Sequence, residues 1–68
     1  MKKPIQHRVR ELRTQAGLSQ QSLADQIGVR YKTISDWERG IHTISTDNAE
    51  KVAKFFQVSI DYLLGRSG

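Results

Sequence analysis

One segment, residues 20–40, constrains the fold of this chain more than any other, and it reads QQSLADQIGVRYKTISDWERG. Ala24 is the small side chain that two helices need where they cross closely. Gly28 stands where a tight turn favours a positive φ, which glycine adopts at little cost. Five apolar residues at helical spacing form a seam around that turn: Leu23, Ile27, Val29, Ile34 and Trp37. These positions predict two helices that cross at about 90–120°, the arrangement of a helix-turn-helix.

The other apolar residues also recur with helical period, and no stretch alternates with the period of a β-strand. The predicted helices lie at about residues 4–15, 19–28, 30–40, 45–56 and 59–65. Pro4 suits the first turn of the first helix, where Ile5, Val9 and Leu12 form one stripe. The predicted N-caps of the second, fourth and fifth helices are Ser19, Ser45 or Thr46, and Ser59. We therefore predict an all-α, compact five-helix bundle, a single domain over residues 1–68 with its core at about 5–65.

The excess positive charge lies in the first two thirds of the chain. Residues 1–43 carry eight Lys or Arg against four Asp or Glu, whereas residues 44–68 carry three of each. This asymmetry is typical of a face that binds a polyanion. A solubilising surface charge explains the net charge of +4 equally well, so charge alone does not decide. We interpret four N-terminal cations as a solvated basic arm and face: Lys2, Lys3, Arg8 and Arg10.

Several classes of function are disfavoured by what the chain lacks. It has no cysteine, and its two histidines, His7 and His42, stand apart, so we expect neither a disulfide nor a metal or other cofactor. No apolar run approaches the roughly 20 residues that span a bilayer, and the N-terminus has no secretory signal, so we expect no membrane partner and a cytoplasmic location. An enzyme is not expected, because no glycine-rich phosphate loop, acid pair or Ser-His-Asp set shares a predicted face. Single-strand RNA readers need a platform of exposed aromatics, and here only Tyr31 is a candidate.

Three separated blocks resemble the Cro/C1-type helix-turn-helix domain of phage repressors and xenobiotic-response-element regulators: GLSQQSLADQIGV, TISDWERG and VSIDYLLG. The resemblance covers about residues 5–65. It implies a lambda repressor-like bundle whose recognition helix, about residues 30–39, enters the major groove of double-stranded DNA. It also implies a homodimer on a palindromic operator, and hence a transcriptional regulator, above all a repressor of phage, mobile-element or bacterial operators. Such a protein is nucleoid-associated when it is bound to DNA.

The resemblance implies base contacts from four residues of the recognition helix: Arg30, Tyr31, Lys32 and Asp36. Their chemistry is suitable, because a lysine donates to guanine, an aspartate accepts from cytosine N4, and a tyrosine ring meets a thymine methyl group. An alternative for Lys32 and Asp36 is a surface ion pair at i,i+4 spacing. Trp37 is interpreted as core, since its spacing from Ile34 turns it inward.

The implied phosphate contacts come from the start of the second helix and from the end of the third and the loop after it: Gln20, Gln21, Thr33, Arg39, His42 and Thr43. Main-chain amides at a helix N-terminus favour a bound phosphate. A solvated first turn and a plain loop histidine are the alternatives for Gln20 and His42. The resemblance further implies a structural ion pair between Arg13 and Glu38 that orients the recognition helix.

The chain departs from the family pattern at three positions. Arg30 stands where the family usually has Ser or Thr as the N-cap of the recognition helix, so this cap is expected to be weaker. Ile44 and Gln57 replace a common Pro and a common Gly, which affects the loop and the end of the fourth helix. The main alternative function is a protein-interaction or antitoxin-type module built on the same fold. Arg30 and Lys32 on the third helix favour DNA.

Overall fold

Serine side chains begin three of the five α-helices in the computed structural model, which describes residues 7–65. The helices are α1 (Val9–Gln15), α2 (Gln20–Ile27), α3 (Tyr31–Glu38), α4 (Thr46–Phe56) and α5 (Ile60–Leu63). The hydroxyl oxygens of Ser19, Ser45 and Ser59 accept hydrogen bonds from the main-chain N–H groups three residues later. Each bond satisfies one of the N–H groups that a helix start leaves without a partner. The predicted all-α, five-helix fold and these three caps are confirmed.

The core of the bundle draws on every helix. The five largest fully buried side chains come one from each helix: Val9, Leu23, Ile34, Val52 and Leu63. Three small side chains belong to the same buried cluster: Ala24 on α2, and Ala49 and Ala53 on α4. Since no helix of 4–11 residues is stable by itself in water, each depends on burying its apolar side against the others.

A left-handed glycine makes the turn between α2 and α3. Gly28 has φ 77° and ψ 35°, and its N–H donates to the carbonyl of Ala24. The next N–H, that of Val29, donates to the same carbonyl at 3.0 Å, which closes the end of α2. α3 then begins at Tyr31 after Arg30, whose side chain makes no capping hydrogen bond. The turn and the buried pair Ile34 and Trp37 agree with the sequence prediction.

The predicted start of the first helix was wrong. The helix begins at Val9, and His7 and Arg8 are not helical. The physical reason is a tertiary contact, because the main-chain N–H of Arg8 donates to the carbonyl of Leu63 at 2.7 Å. This bond draws the chain toward α5 before α1 starts. Pro4 and Ile5, which the prediction placed in the helix, lie outside the described residues.

Arg8 is also not the solvated cation that was expected. Its Nε donates to the carbonyl of Tyr62 at 2.9 Å, and its guanidinium lies 4.6 Å from the centre of the Tyr62 ring. The Tyr62 carbonyl, which also accepts from the N–H of Gly65, thus has a cationic donor near the end of α5, and the same cation lies against the aromatic ring. Arg8 therefore joins the start of α1 to α5. Arg10 is exposed as expected, and Lys2 and Lys3 lie outside the described residues.

Within residues 7–65, none of the helices has the length and apolar character required to cross a membrane.

We predict that Gln57→Gly stabilises the domain. Gln57 ends α4 in the left-handed region, with φ 59° and ψ 43°. This conformation costs an L-residue roughly 1–2 kcal/mol, part of which is offset by the greater freedom of glycine in the unfolded chain. The expected gain of about 1 kcal/mol would raise the midpoint of thermal unfolding by roughly 4–8 °C in a domain of this size. Gln57→Ala is the matched control, and an equal gain in that variant would contradict the explanation.

Candidate nucleic-acid interface

The charged side chains of α3 and its flanking residues are sorted by sign. The three cations, Arg30, Lys32 and Arg39, are exposed, whereas the two carboxylates, Asp36 and Glu38, are buried. Each buried carboxylate has a cation as partner within the described residues. The outer surface of α3 therefore presents positive charge without an unpaired acid.

The carboxylate of Glu38 is held by side chains from two other helices. Arg13 on α1 donates from Nε to Oε2 at 2.7 Å and from Nη2 to Oε1 at 3.0 Å. Gln20 on α2 donates from Nε2 to Oε1 at 3.0 Å. The side chain of Glu38 is only 4% exposed, so its charge depends on these donors rather than on water.

The predicted pair between Arg13 and Glu38 is thus formed, and its geometry is bidentate, which fixes orientation as well as distance. Arg13 also donates from Nη1 to the carbonyl of Leu18 at 2.8 Å, which ties it to the connection between α1 and α2. Hydrogen bonding to Glu38 raises the pKa of Arg13 above its ordinary value, against the opposing effect of burial. The end of α3 is therefore anchored to α1 and α2 through one carboxylate.

Both sequence interpretations of Asp36, a base contact and a surface ion pair with Lys32, place it on the outside of the third helix, and this placement was wrong. Its side chain is 10% exposed and is covered by two side chains from the segment that follows α3, those of Arg39 and His42. Arg39 donates from Nη2 to Oδ1 at 3.2 Å, and Nε2 of His42 lies 3.8 Å from Oδ2. The alternative pair with Lys32 is not formed within the described chain. The spacing of Asp36 and Arg39, i and i+3 on a helix, was the signal that could have indicated this pair from sequence.

Three candidate base-contact residues lie together at the start of α3. Arg30, Tyr31 and Lys32 are consecutive and exposed, and 54% of the surface of Tyr31 is accessible. The opposite side of this helix is held in the core by Ile34 and Trp37. The structure thus exposes these three consecutive residues at the start of α3, whereas Asp36 is buried.

The candidate phosphate contacts divide into two groups. Gln20, at the start of α2, is half-buried with its amide engaged by Glu38, and Gln21 is exposed but donates to Asp25 at 2.9 Å. At the other end of α3, Arg39, His42 and Thr43 are exposed, whereas Thr33 within the helix is half-buried. Sequence reasoning missed the bond between Gln20 and Glu38, because no local spacing relates residues on different helices.

A further contact that was missed joins the N-terminal segment to α3. The ring of His7 has Nε2 at 3.1 Å from the carbonyl of Trp37 and accepts at Nδ1 from the N–H of Val9 at 3.4 Å. A carbonyl accepts only, so these bonds require the neutral ring with its proton on Nε2. Burial lowers the pKa of His7, although the Trp37 carbonyl and the charge of Glu38 oppose this effect.

A helix-turn-helix family model matches residues 9–63. The chain is similar to the HTH-type transcriptional regulator ImmR of Bacillus subtilis (strain 168), with 34% identity over 59 residues, 87% of this chain and 46% of that protein. It is also similar to the cryptic phage CTXphi transcriptional repressor RstR of Vibrio cholerae, with 35% identity over 60 residues, 88% of this chain and 54% of that protein. The chain spans about half the length of these curated relatives.

The fold is also that of a solved repressor. The crystal structure of the P22 c2 repressor protein in complex with synthetic operator 9T in the presence of Tl+ has a TM-score of 0.82 and 30% identity. The match covers 97% of this chain and 100% of that chain. The predicted lambda repressor-like architecture is confirmed by this similarity.

We predict that Arg13 and Glu38 are energetically coupled. Arg13→Met leaves a buried carboxylate with only Gln20 as donor and should cost roughly 3–5 kcal/mol, whereas Arg13→Met/Glu38→Leu should cost less than the two single changes added together. Denaturant unfolding measures all four corners of this cycle. If all four proteins also carry Gln57→Gly, the expected gain of about 1 kcal/mol offsets part of these losses. Strictly additive losses would exclude the coupling.

We predict that His7 makes the stability of the domain depend on pH. Because the pKa of His7 is lower in the folded chain than in the unfolded one, the unfolded state takes up the proton first as pH falls. Stability from this group is complete above the unfolded value of about 6.5 and declines below it until the folded group protonates. The unfolding midpoint of His7→Gln should vary less between about pH 7 and pH 5 than that of the native chain.

The matched control for this prediction is His42→Gln, since the His42 side chain is 70% exposed. It should retain the decline of the native chain. If the loss of stability at low pH persists in His7→Gln and disappears in His42→Gln, the prediction for His7 is wrong.

Proposed function

The chain belongs to the Cro/C1-type helix-turn-helix family, and we propose that it is a transcriptional regulator that binds specific sites in double-stranded DNA. The proposal extends to repression of phage, mobile-element or bacterial operators, and to work at the nucleoid in the cytoplasm. It is supported by the relatives, which are transcriptional regulators including a phage repressor. It is further supported by the solved repressor of the same fold, whose crystal contains a synthetic operator.

The observation that carries the proposal is the sorting of charge on α3. Exposed Arg30, Lys32 and Arg39 attract a polyanion. The repulsion from the two acids of this helix is offset because each of them is buried against an arginine. A protein-binding surface is usually depleted of charge at its centre. The protein-interaction alternative is therefore not favoured by the exposed surface of α3.

The proposed contacts follow from position. Arg30, Tyr31 and Lys32 enter the major groove and reach base edges, with Lys32 donating to guanine O6 or N7. Phosphates on one side meet the main-chain N–H groups of Gln20 and Gln21 at the N-terminus of α2. Those on the other side meet the group past the end of α3: Arg39, His42 and Thr43. Thr33 on α3 is half-buried, and its remaining exposed surface is proposed to contact a phosphate.

A homodimer on a palindromic site completes the proposal. One recognition helix contacts only a few base pairs, which is little information for a genomic target. Two copies related by a twofold axis place their helices about 34–36 Å apart, one turn of B-DNA, so that both enter the same side of the duplex. The spacing of the half-sites is then determined by the protein.

Selection of bound duplexes from a random pool tests this function. We expect an enriched palindrome whose half-sites are centred about one helical turn apart, bound with an affinity that falls steeply with salt. The same selection with Lys32→Ala should lose the base preference at one position of each half-site and weaken binding to the native site by about 1–3 kcal/mol.

Lys51→Ala on α4 is the matched control, since it removes the same exposed charge from a helix outside the proposed interface. It should leave the selected sequence unchanged. Failure of the native chain to enrich any duplex sequence, or an affinity indifferent to salt, would contradict the proposed function. A single half-site without a symmetric partner would contradict the dimer alone.

A further inference from the structure

We propose that Asp36 is a positioning residue, which holds the guanidinium of Arg39 and the segment after α3 in place for a DNA phosphate and does not itself read a base. This inference rests on the proposed function, because it assigns a role within the same interface. It differs from the role that the position of Asp36 on the recognition helix would suggest.

The side chain of Asp36 lies beneath those of Arg39 and His42. The carboxylate of Asp36 is buried, whereas the side chains of Arg39 and His42 are 61% and 70% exposed. Arg39 approaches one carboxylate oxygen and His42 the other, at 3.2 Å and 3.8 Å. A ligand that approaches this end of α3 from solvent therefore contacts Arg39 and His42 before Asp36.

The main chain of the same residue contributes to the arrangement. The N–H of Ile41 donates to the carbonyl of Asp36 at 2.9 Å, and the N–H of His42 lies within 3.5 Å of the same oxygen. These bonds fold residues 39–42 back against the end of α3. Asp36 thus holds the segment at two points, through its carbonyl and through its carboxylate.

The contact leaves most of the Arg39 guanidinium available. Only Nη2 is bonded to Asp36, so the other N–H donors of the fork can bind a phosphate oxygen at the same time. A long side chain that is already held in one orientation loses less conformational freedom on binding. The role of Asp36 is therefore to prepare Arg39 for the phosphate while the free protein is still in solution.

A positioning role and a purely electrostatic role for Asp36 predict opposite changes in DNA affinity when its carboxylate is removed. Removal of an acid close to DNA should strengthen binding if charge is all that matters. If Asp36 positions Arg39, its removal should weaken binding although the protein becomes more positive. A base-reading Asp36 would also weaken binding when removed, but only on sites that carry the base it reads.

The experiment measures affinity for the selected palindrome and for an unrelated duplex at fixed salt, with Asp36→Asn, Arg39→Gln, the double variant and the native chain. We expect Asp36→Asn to bind both duplexes more weakly by a similar factor, roughly three- to thirtyfold. The loss should largely disappear in the Arg39→Gln background, because the residue that Asp36 positions is absent. Glu50→Gln, which neutralises an exposed acid on α4, is the charge control and should not weaken binding.

Each other outcome overturns the inference. Tighter binding by Asp36→Asn would mean that its charge only repels DNA, and unchanged binding would mean that it does nothing for Arg39. A loss confined to the selected palindrome, and independent of Arg39, would make Asp36 a base reader. Thermal unfolding of every variant ensures that the affinities are those of folded protein. If the native chain prefers no duplex, the proposed function fails instead, which distinguishes the two failures.

Discussion

The buried carboxylate of Glu38 is the group on which the arrangement of the three N-terminal helices depends. An ionised acid with almost no access to water is tolerated only when donors surround it, and here Arg13 comes from α1 and Gln20 from α2. The acid itself belongs to α3, so all three helices must reach one small volume in a fixed orientation. Apolar packing alone tolerates sliding and rotation, whereas a forked arginine does not. The buried ion pair and hydrogen bonds of Glu38 therefore fix which side of α3 faces solvent.

Asp36, the other carboxylate of α3, pairs with an exposed arginine, whereas Glu38 pairs with one in the interior. Asp36 and Glu38 are two residues apart and lie on different sides of the helix, each covered by its own arginine. One arginine belongs to the scaffold and is nearly buried, and the other is exposed beyond the end of the helix. A helix whose composition is nearly balanced in charge can therefore present a positive surface. Formal charge summed along a sequence does not reveal such sorting.

Features that depend on local chemistry were predictable from sequence. The serine caps, the glycine turn at Gly28 and the inward pair Ile34 and Trp37 all follow from residues within one or two helical turns. The start of the first helix and the burial of Asp36 were not predicted. The first depends on a main-chain bond between Arg8 and Leu63, at opposite ends of the domain. The second depends on how a short loop folds back, which the helical pattern of α3 does not contain.

The contribution of one large buried side chain from each helix has a consequence for how the protein persists in a cell. Since no subset of helices can enclose the core, the domain is expected to unfold as one cooperative unit. Amides deep in α2 and α3 then exchange with solvent only through global opening, and a protease gains access through the same event. The amount of folded protein is then set by its overall free energy of unfolding. A substitution far from the proposed DNA contacts, such as one in α5, can thus change how much folded protein a cell contains without altering any of those contacts.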